Sequence, residues 1–206
     1  ILTVKIIAGL FTGLLVFLVF AIAPVNRTPV QATDAYCQTL QALDTLAVFT
    51  DTFGDSVRVG FAKQNITPPF PVTTAGYVKR KGALRTSVHD SLFVRTLVIQ
   101  AGRTRAAIVS LDMLLVPPAV YEQLTERLPA IGFSIEQLFL GATHTHNSFG
   151  QWDDHLVGEI YSGDFNPVII DWVVDRIVQS VERAAAHPAS AHVSYRAIPF
   201  KDGVSN

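Results

Sequence analysis

Two histidines, His144 and His146, sit two residues apart in the stretch 137–150, where an apolar run passes into a polar turn closed by Gly150. In an extended strand side chains alternate between faces, so both imidazoles are expected on one side, with Thr143 and Thr145 on the other. Two imidazoles on one face at a strand end make a candidate metal site. Neutral imidazole is a common zinc ligand, and a catalytic zinc takes three protein ligands and keeps one position open. The pair is therefore too few. Asp153, Asp154 and His155 follow closely and are candidates for the remainder, although Asp-Asp-His on a loop also reads as a solvated turn. The plain alternative for His144 and His146 is a pair of strand-end residues satisfied by the neighbouring threonine hydroxyls.

Other titratable groups carry less. Asp112 ends an apolar run and is a candidate for orienting a histidine, since sites in partly parallel sheets gather at strand carboxyl ends. It could equally cap the following helix or pair with an arginine. His89, Asp90, His187 and His192 read as structural. Cys37 is the single cysteine of the chain, so an intrachain disulfide and a multi-cysteine metal knot are both excluded. Any metal must be held by histidine, carboxylate or tyrosine.

These groups need a scaffold, and composition bounds it. At 206 residues, with 49% hydrophobic and 16% charged residues, the chain has room for one sizeable domain plus extras. A mean hydropathy of +0.33 points to a membrane segment or a heavily buried sheet. The net charge of -1 offers no electrostatic footprint for nucleic acid, and Lys79-Arg80-Lys81 is the longest basic run, so nucleic-acid binding is set aside. That basic run reads as a solvated surface loop.

Residues 6–23 are apolar apart from Thr12, at the lower limit of what crosses a hydrocarbon core of about 30 Å as a helix. Ala21-Ile22-Ala23 resembles a signal cleavage site, but the apolar stretch is long for a signal and Pro24 would follow the cut. An uncleaved N-terminal anchor is expected, with the bulk of the chain outside the cytoplasm. Residues 1–24 then form the anchor or signal, and 25–56 a juxtamembrane linker with a short amphipathic helix from Thr33 onward through Tyr36, Leu40, Leu43, Leu46 and Ala47. A turn is expected over 52–56, and a domain over 57–206.

Within that domain, 57–62 alternates as a short strand, and 65–71 with three prolines forms an extended loop. Residues 92–100 and 106–115 read as a hairpin of two buried strands. Pro117-Pro118 opens a helix with Val120, Leu124 and Leu128 on one face, and Pro129 is expected to stop it. One turn over 134–137 precedes a strand at 138–143. Asn166 caps a long helix whose stripe runs through Ile170, Val173, Val174, Ile177, Val181 and Ala184. Residues 191–197 alternate as a last strand. The fold class expected is α/β, a mixed, partly parallel sheet flanked by helices, incomplete at its C-terminal end, behind an N-terminal transmembrane helix. Asn65-Ile66-Thr67 and Asn26-Arg27-Thr28 match the glycosylation triplet.

Several separated motifs, in order, resemble the N-terminal region of the neutral, non-lysosomal ceramidase family. They are Val59-Gly60-Phe61-Ala62-Lys63-Gln64-Asn65-Ile66-Thr67-Pro68, Ala75-Gly76-Tyr77, Val88-His89-Asp90-Ser91-Leu92, Val109-Ser110-Leu111-Asp112 and Gly141-Ala142-Thr143-His144-Thr145-His146. The resemblance runs from about Val57 to the end. It implies a zinc amidase that hydrolyses the N-acyl bond of ceramide or a related lipid, with His144 a zinc ligand and His146 facing the scissile amide and its developing oxyanion. A membrane anchor agrees with such a lipid substrate. The chain departs from the family at Asn147-Ser148-Phe149-Gly150-Gln151, where Ser-Gly-Pro-Gly-Gly is usual. It also halts at Val204-Ser205-Asn206, where the family continues through Asn-Arg-Ser to a second zinc histidine, a glutamate, a tyrosine and a serine of the active centre. The resemblance therefore implies a truncated chain, inactive by itself. Two other classes stay open: a metallo-beta-lactamase-like hydrolase, whose Asp-His would have to stand where Ser148-Phe149 are, and a non-catalytic membrane-tethered module.

Overall fold

The computed structural model describes residues 2–22, 27–45, 56–77 and 83–199. Several sequence features lie outside them: Ala23 and Pro24, Leu46 and Ala47, most of the turn at 52–56, the Lys79-Arg80-Lys81 run and the segment 200–206. The chain divides into two compact units, Ile1–Asp51 and Thr52–Asn206.

The first unit holds two helices. Helix α1, Leu2–Ala21, has 20 residues and no buried side chain. At about 1.5 Å per residue it spans roughly the thickness of a hydrocarbon core, about 30 Å. Its mean hydropathy of 2.4 makes it long and apolar enough to cross a membrane. Helix α2, Asp34–Thr45, starts where Thr33 Oγ1 accepts from the Tyr36 N–H, and Asp34 places negative charge at its positive end. Its amphipathic pattern buries no side chain.

The second unit is a five-stranded mixed sheet in the order β4-β3-β2-β1-β5. Strands β1 (Arg58–Asn65), β2 (Phe93–Ala101) and β3 (Thr104–Leu111) pair antiparallel in sequence, and β4 (Leu138–Ala142) lies parallel to β3. A parallel neighbour requires a crossover, and α3, Pro118–Arg127, supplies it. Pro129 does not end the helical path: it occupies the first turn of a 3-10 segment, Leu128–Ile131, where a missing N–H costs nothing, and Gly132 at φ 73° closes it. Ser134 and Gln137 form a capping box at Ile135–Gln137 just before β4.

Helix α5, Pro167–Ala186, covers one face of the sheet. Asn166 accepts from the Val168 N–H at its start, and the stripe read from the sequence is buried along its whole length: Ile170, Val173, Val174, Ile177, Val181 and Ala184. Val120, Leu124 and Leu128 of the crossover are also fully buried. The hairpin β2–β3 is buried on that one face only. On the other, the cross-strand row Phe61, Leu97, Ile108 and Phe139 runs across four strands, with Phe61 63% and Phe139 72% exposed. An apolar run with branched residues on both faces carries no signal for which face is covered.

The last strand is a correction. Residues 191–197 do not form one; β5 is Ala189–Ser190, paired with Arg58 and Val59 of β1. Beyond it the Ala191 N–H bonds to Val57 O, and Val193 and Tyr195 stand 70% and 91% exposed. Alternation in 191–197 offers an apolar face that no layer among the described residues buries, so pairing stops. A short helix that the sequence pattern did not mark, α4 (Leu156–Ser162), follows the histidine loop.

Candidate metal centre and active site

Strand β4 carries the histidine loop to the edge of the sheet. Its ladder ends at Ala142, and the Thr143 N–H adds one bond to Leu111 O at 2.9 Å. The strand geometry expected of His144 and His146 is not what brings them together. His144 lies in the left-handed region at φ 59°, so the chain turns out of the strand there. The two rings nonetheless meet edge to face, with centroids 5.1 Å apart.

Each imidazole is held through Nδ1 by a backbone carbonyl: His144 by Leu114 O at 2.8 Å, His146 by Gly76 O at 3.2 Å. Leu114 follows β3, so the parallel pairing of β3 with β4 places the carbonyl under the histidine. A carbonyl oxygen only accepts, so Nδ1 of His144 carries the hydrogen and donates, and the ring lone pair sits on Nε2. That is the arrangement in which metal-binding histidines are oriented by an outer partner. The donor chemistry at His144 therefore fits zinc.

The remaining candidates do not join the pair. Among the described residues, the group of three or more potential ligands within 4.8 Å of one another is Asp153, Asp154 and His155. His155 stands at the start of α4, its N–H and Nδ1 both on Asp153 Oδ1 and its side chain 86% exposed, which is a solvated turn. Asp112 does not orient a histidine either. Its carboxylate takes the Arg95 guanidinium at 2.9 and 3.0 Å and the Phe93 N–H at 3.0 Å, which ties the end of β3 to β2. Asp112→Ala is expected to cost about 1–2 kcal/mol of stability, since a half-exposed ion pair is screened but a backbone donor loses its partner. Chemical denaturation checks this, and a value near zero would mean that water replaces the carboxylate without loss. His89 and Asp90 are almost fully exposed, His187 ends α5, and His192 is exposed.

The loop that departs from the family pattern is well anchored. Phe149 is buried, Trp152 Nε1 donates to Phe149 O at 3.0 Å, and Phe149 bridges Thr74. A cavity of about 440 Å³ lies against it, lined by Thr145, Asn147, Phe149, Arg85, His89 and Asp90 among others. Neither His144 nor His146 lines that cavity, so the hollow, of mixed polar and apolar lining, and the imidazole pair are separate features of one loop. The segment 73–77, which meets the histidine loop, carries no titratable side chain apart from Tyr77. The motif Ala75-Gly76-Tyr77 was its only signal.

The family described as neutral/alkaline non-lysosomal ceramidase, N-terminal, matches residues 57–206. The chain belongs to this family. Over 114 residues it is 31% identical to the neutral ceramidase of Mycobacterium tuberculosis, a match that covers 52% of this chain and 18% of that protein. Its fold is similar to the crystal structure of neutral ceramidase from Pseudomonas aeruginosa, with a TM-score of 0.59 at 26% identity over 66% of this chain and 22% of that one. A ceramidase complexed with C2 aligns with a TM-score of 0.57 at 27% identity, over the same shares. This ceramidase-family chain thus spans about a fifth of the length of the relatives it matches. The mixed sheet with flanking helices is the part of the fold it shares with them.

Proposed function

We propose that this chain provides the His144–His146 part of a zinc amidase site that hydrolyses the N-acyl amide bond of ceramide or a related lipid. The observation that carries the reading is the Leu114 carbonyl on His144 Nδ1, which leaves Nε2 to bind a metal, within a chain of the ceramidase family. Bound zinc supplies a Lewis acid for the amide carbonyl and an activated water at neutral pH. His144 holds it; His146, one ring contact away, faces the substrate amide. The anchored loop 145–150 borders the substrate and keeps both rings in register. Residues 6–23, which begin within helix α1, serve as a membrane anchor that keeps a lipid substrate within reach, with residues 57–206 as a catalytic region on the extracytoplasmic side.

His144 is the one zinc ligand assigned among the described residues, so the chain by itself is expected to bind zinc poorly and to leave N-acyl sphingosine uncleaved. The test places residues 57–206 in the full-length mycobacterial ceramidase in exchange for the matching segment. A folded chimera is expected to retain zinc and release fatty acid from ceramide in mixed micelles. A folded chimera that keeps the other family ligands yet holds no zinc and cleaves nothing would favour a non-catalytic, membrane-tethered module instead.

A further inference from the structure

Helix α4 is packed with its apolar side outward. At about 100° per residue, Leu156, Val157, Ile160 and Tyr161 fall within one arc of about 140°, while Gly158 and Ser162 lie on the opposite side. The small side is the one the protein takes in. Ser162 is fully buried, and its carbonyl oxygen accepts from the Gln151 N–H at 2.7 Å. A Cβ on Gly150 would fall 1.9 Å from that oxygen, so glycine is what lets the helix approach the histidine loop this closely. Tyr161 O accepts from the Gly76 N–H at 3.1 Å, which ties α4 to the segment 73–77 as well. The large side is left in solvent: Leu156 is 76%, Val157 66%, Ile160 52% and Tyr161 49% exposed. A surface helix ordinarily does the reverse, and a contiguous apolar stripe of this kind marks a contact with a partner or a membrane.

Charge and connectivity choose between the occupants. Asp153, Asp154, Glu159 and Asp164 lie on or beside α4, and no lysine or arginine stands between Arg127 and Arg176. A helix that seats on anionic lipid carries basic residues along its polar side, so this one is unsuited to such a surface. An apolar stripe ending in a tyrosine suits the boundary between headgroups and acyl chains. Helix α1 of the same chain is long and apolar enough to cross a membrane, so on the anchor reading a bilayer is the apolar phase this chain meets at highest local concentration. We propose that the Leu156, Val157, Ile160 and Tyr161 face of α4 inserts into the headgroup boundary of an electrically neutral lipid surface. The proposal rests on the reading of this chain as part of a lipid amidase and deepens it: a lipid substrate leaves the bilayer beside the histidine loop instead of crossing water.

The test uses the whole chain in phosphatidylcholine vesicles, with Cys37→Ser removing the single thiol and Val157→Cys carrying a fluorophore. A helix lying about 5–10 Å deep puts that label within reach of bromine on the acyl chains, so at least about half of its emission should be lost in brominated lipid. A label at Glu182→Cys, on the exposed side of α5, should lose little. Leu156→Asp with Ile160→Asp is expected to abolish the loss at position 157, and both sites are exposed enough for the fold to bear the change. Equal emission in plain and brominated vesicles overturns the proposal, as does equal quenching at 157 and 182. Emission at 157 that depends on protein concentration and not on bromine assigns the stripe to a second copy of the chain, which also overturns it. Stronger quenching when phosphatidylglycerol replaces part of the phosphatidylcholine overturns the choice of a neutral surface. Neither zinc nor ceramide is present, so a failure here is distinct from a failure of the amidase assignment.

Discussion

In the chimera that carries residues 57–206, His144→Ala is expected to lower ceramide hydrolysis by at least about a thousandfold, roughly 4 kcal/mol of transition-state stabilisation. Zinc content measured on the purified protein should fall in parallel, because the substitution removes the one imidazole whose Nδ1 is already committed to Leu114 O. His155→Ala is the control. That side chain is 86% exposed beside its own aspartates, and its loss should leave both zinc content and turnover within about twofold. The reverse pattern, with His155 essential and His144 dispensable, would place the metal at the Asp153-Asp154-His155 turn and overturn the assignment.

The largest effect on stability is expected at Gly60. A Cβ there would lie 1.8 Å from Ala184 O and 2.9 Å from its carbonyl carbon, where α5 presses on β1. The obstacle is helix backbone, which cannot swing aside as a side chain does. Gly60→Ala must therefore push α5 away from the sheet, and α5 buries Ile177, Val181 and Ala184 in that contact. Overpacking of a core costs about 1–3 kcal/mol, and more where backbone must move, so a loss of about 4 kcal/mol or failure to fold is expected. Gly141→Ala on the edge strand β4, separated from β1 by β3 and β2, meets nothing closer than 4.0 Å and should change the unfolding midpoint little. Equal midpoints for the two variants would show that α5 can shift without cost.

Much of the scaffold was legible because its signals are local. Helix α5 was written in a stripe at helical spacing with Asn166 and Pro167 at its start, and the crossover helix in Pro117-Pro118 and the spacing of Val120, Leu124 and Leu128. The hairpin β2–β3 followed from branched runs on either side of a glycine turn. Helix α4 escaped notice because its seven residues are too few to show a period, and residues 191–197 misled because alternation predicts a strand only where a second layer exists.

His144 and His146 show where the boundary between sequence and structure falls. Their type, spacing and surrounding motif identified them as the chemical centre, and the order of motifs placed the chain in the ceramidase family. Their geometry was not in the spacing. Strand alternation was the wrong reason for the right neighbours: the strand ends first, His144 turns left-handed, and the rings meet because two carbonyls hold them. Leu114 is thirty residues away from His144 and Gly76 seventy from His146. Composition and periodicity report what one element buries, whereas a histidine's tautomer depends on which distant backbone oxygen the fold brings to Nδ1. The sequence by itself determined which residues could do chemistry and which elements would carry them. The tertiary structure decided which backbone carbonyl meets Nδ1 of each ring, because only the fold brings those distant residues beside the histidines.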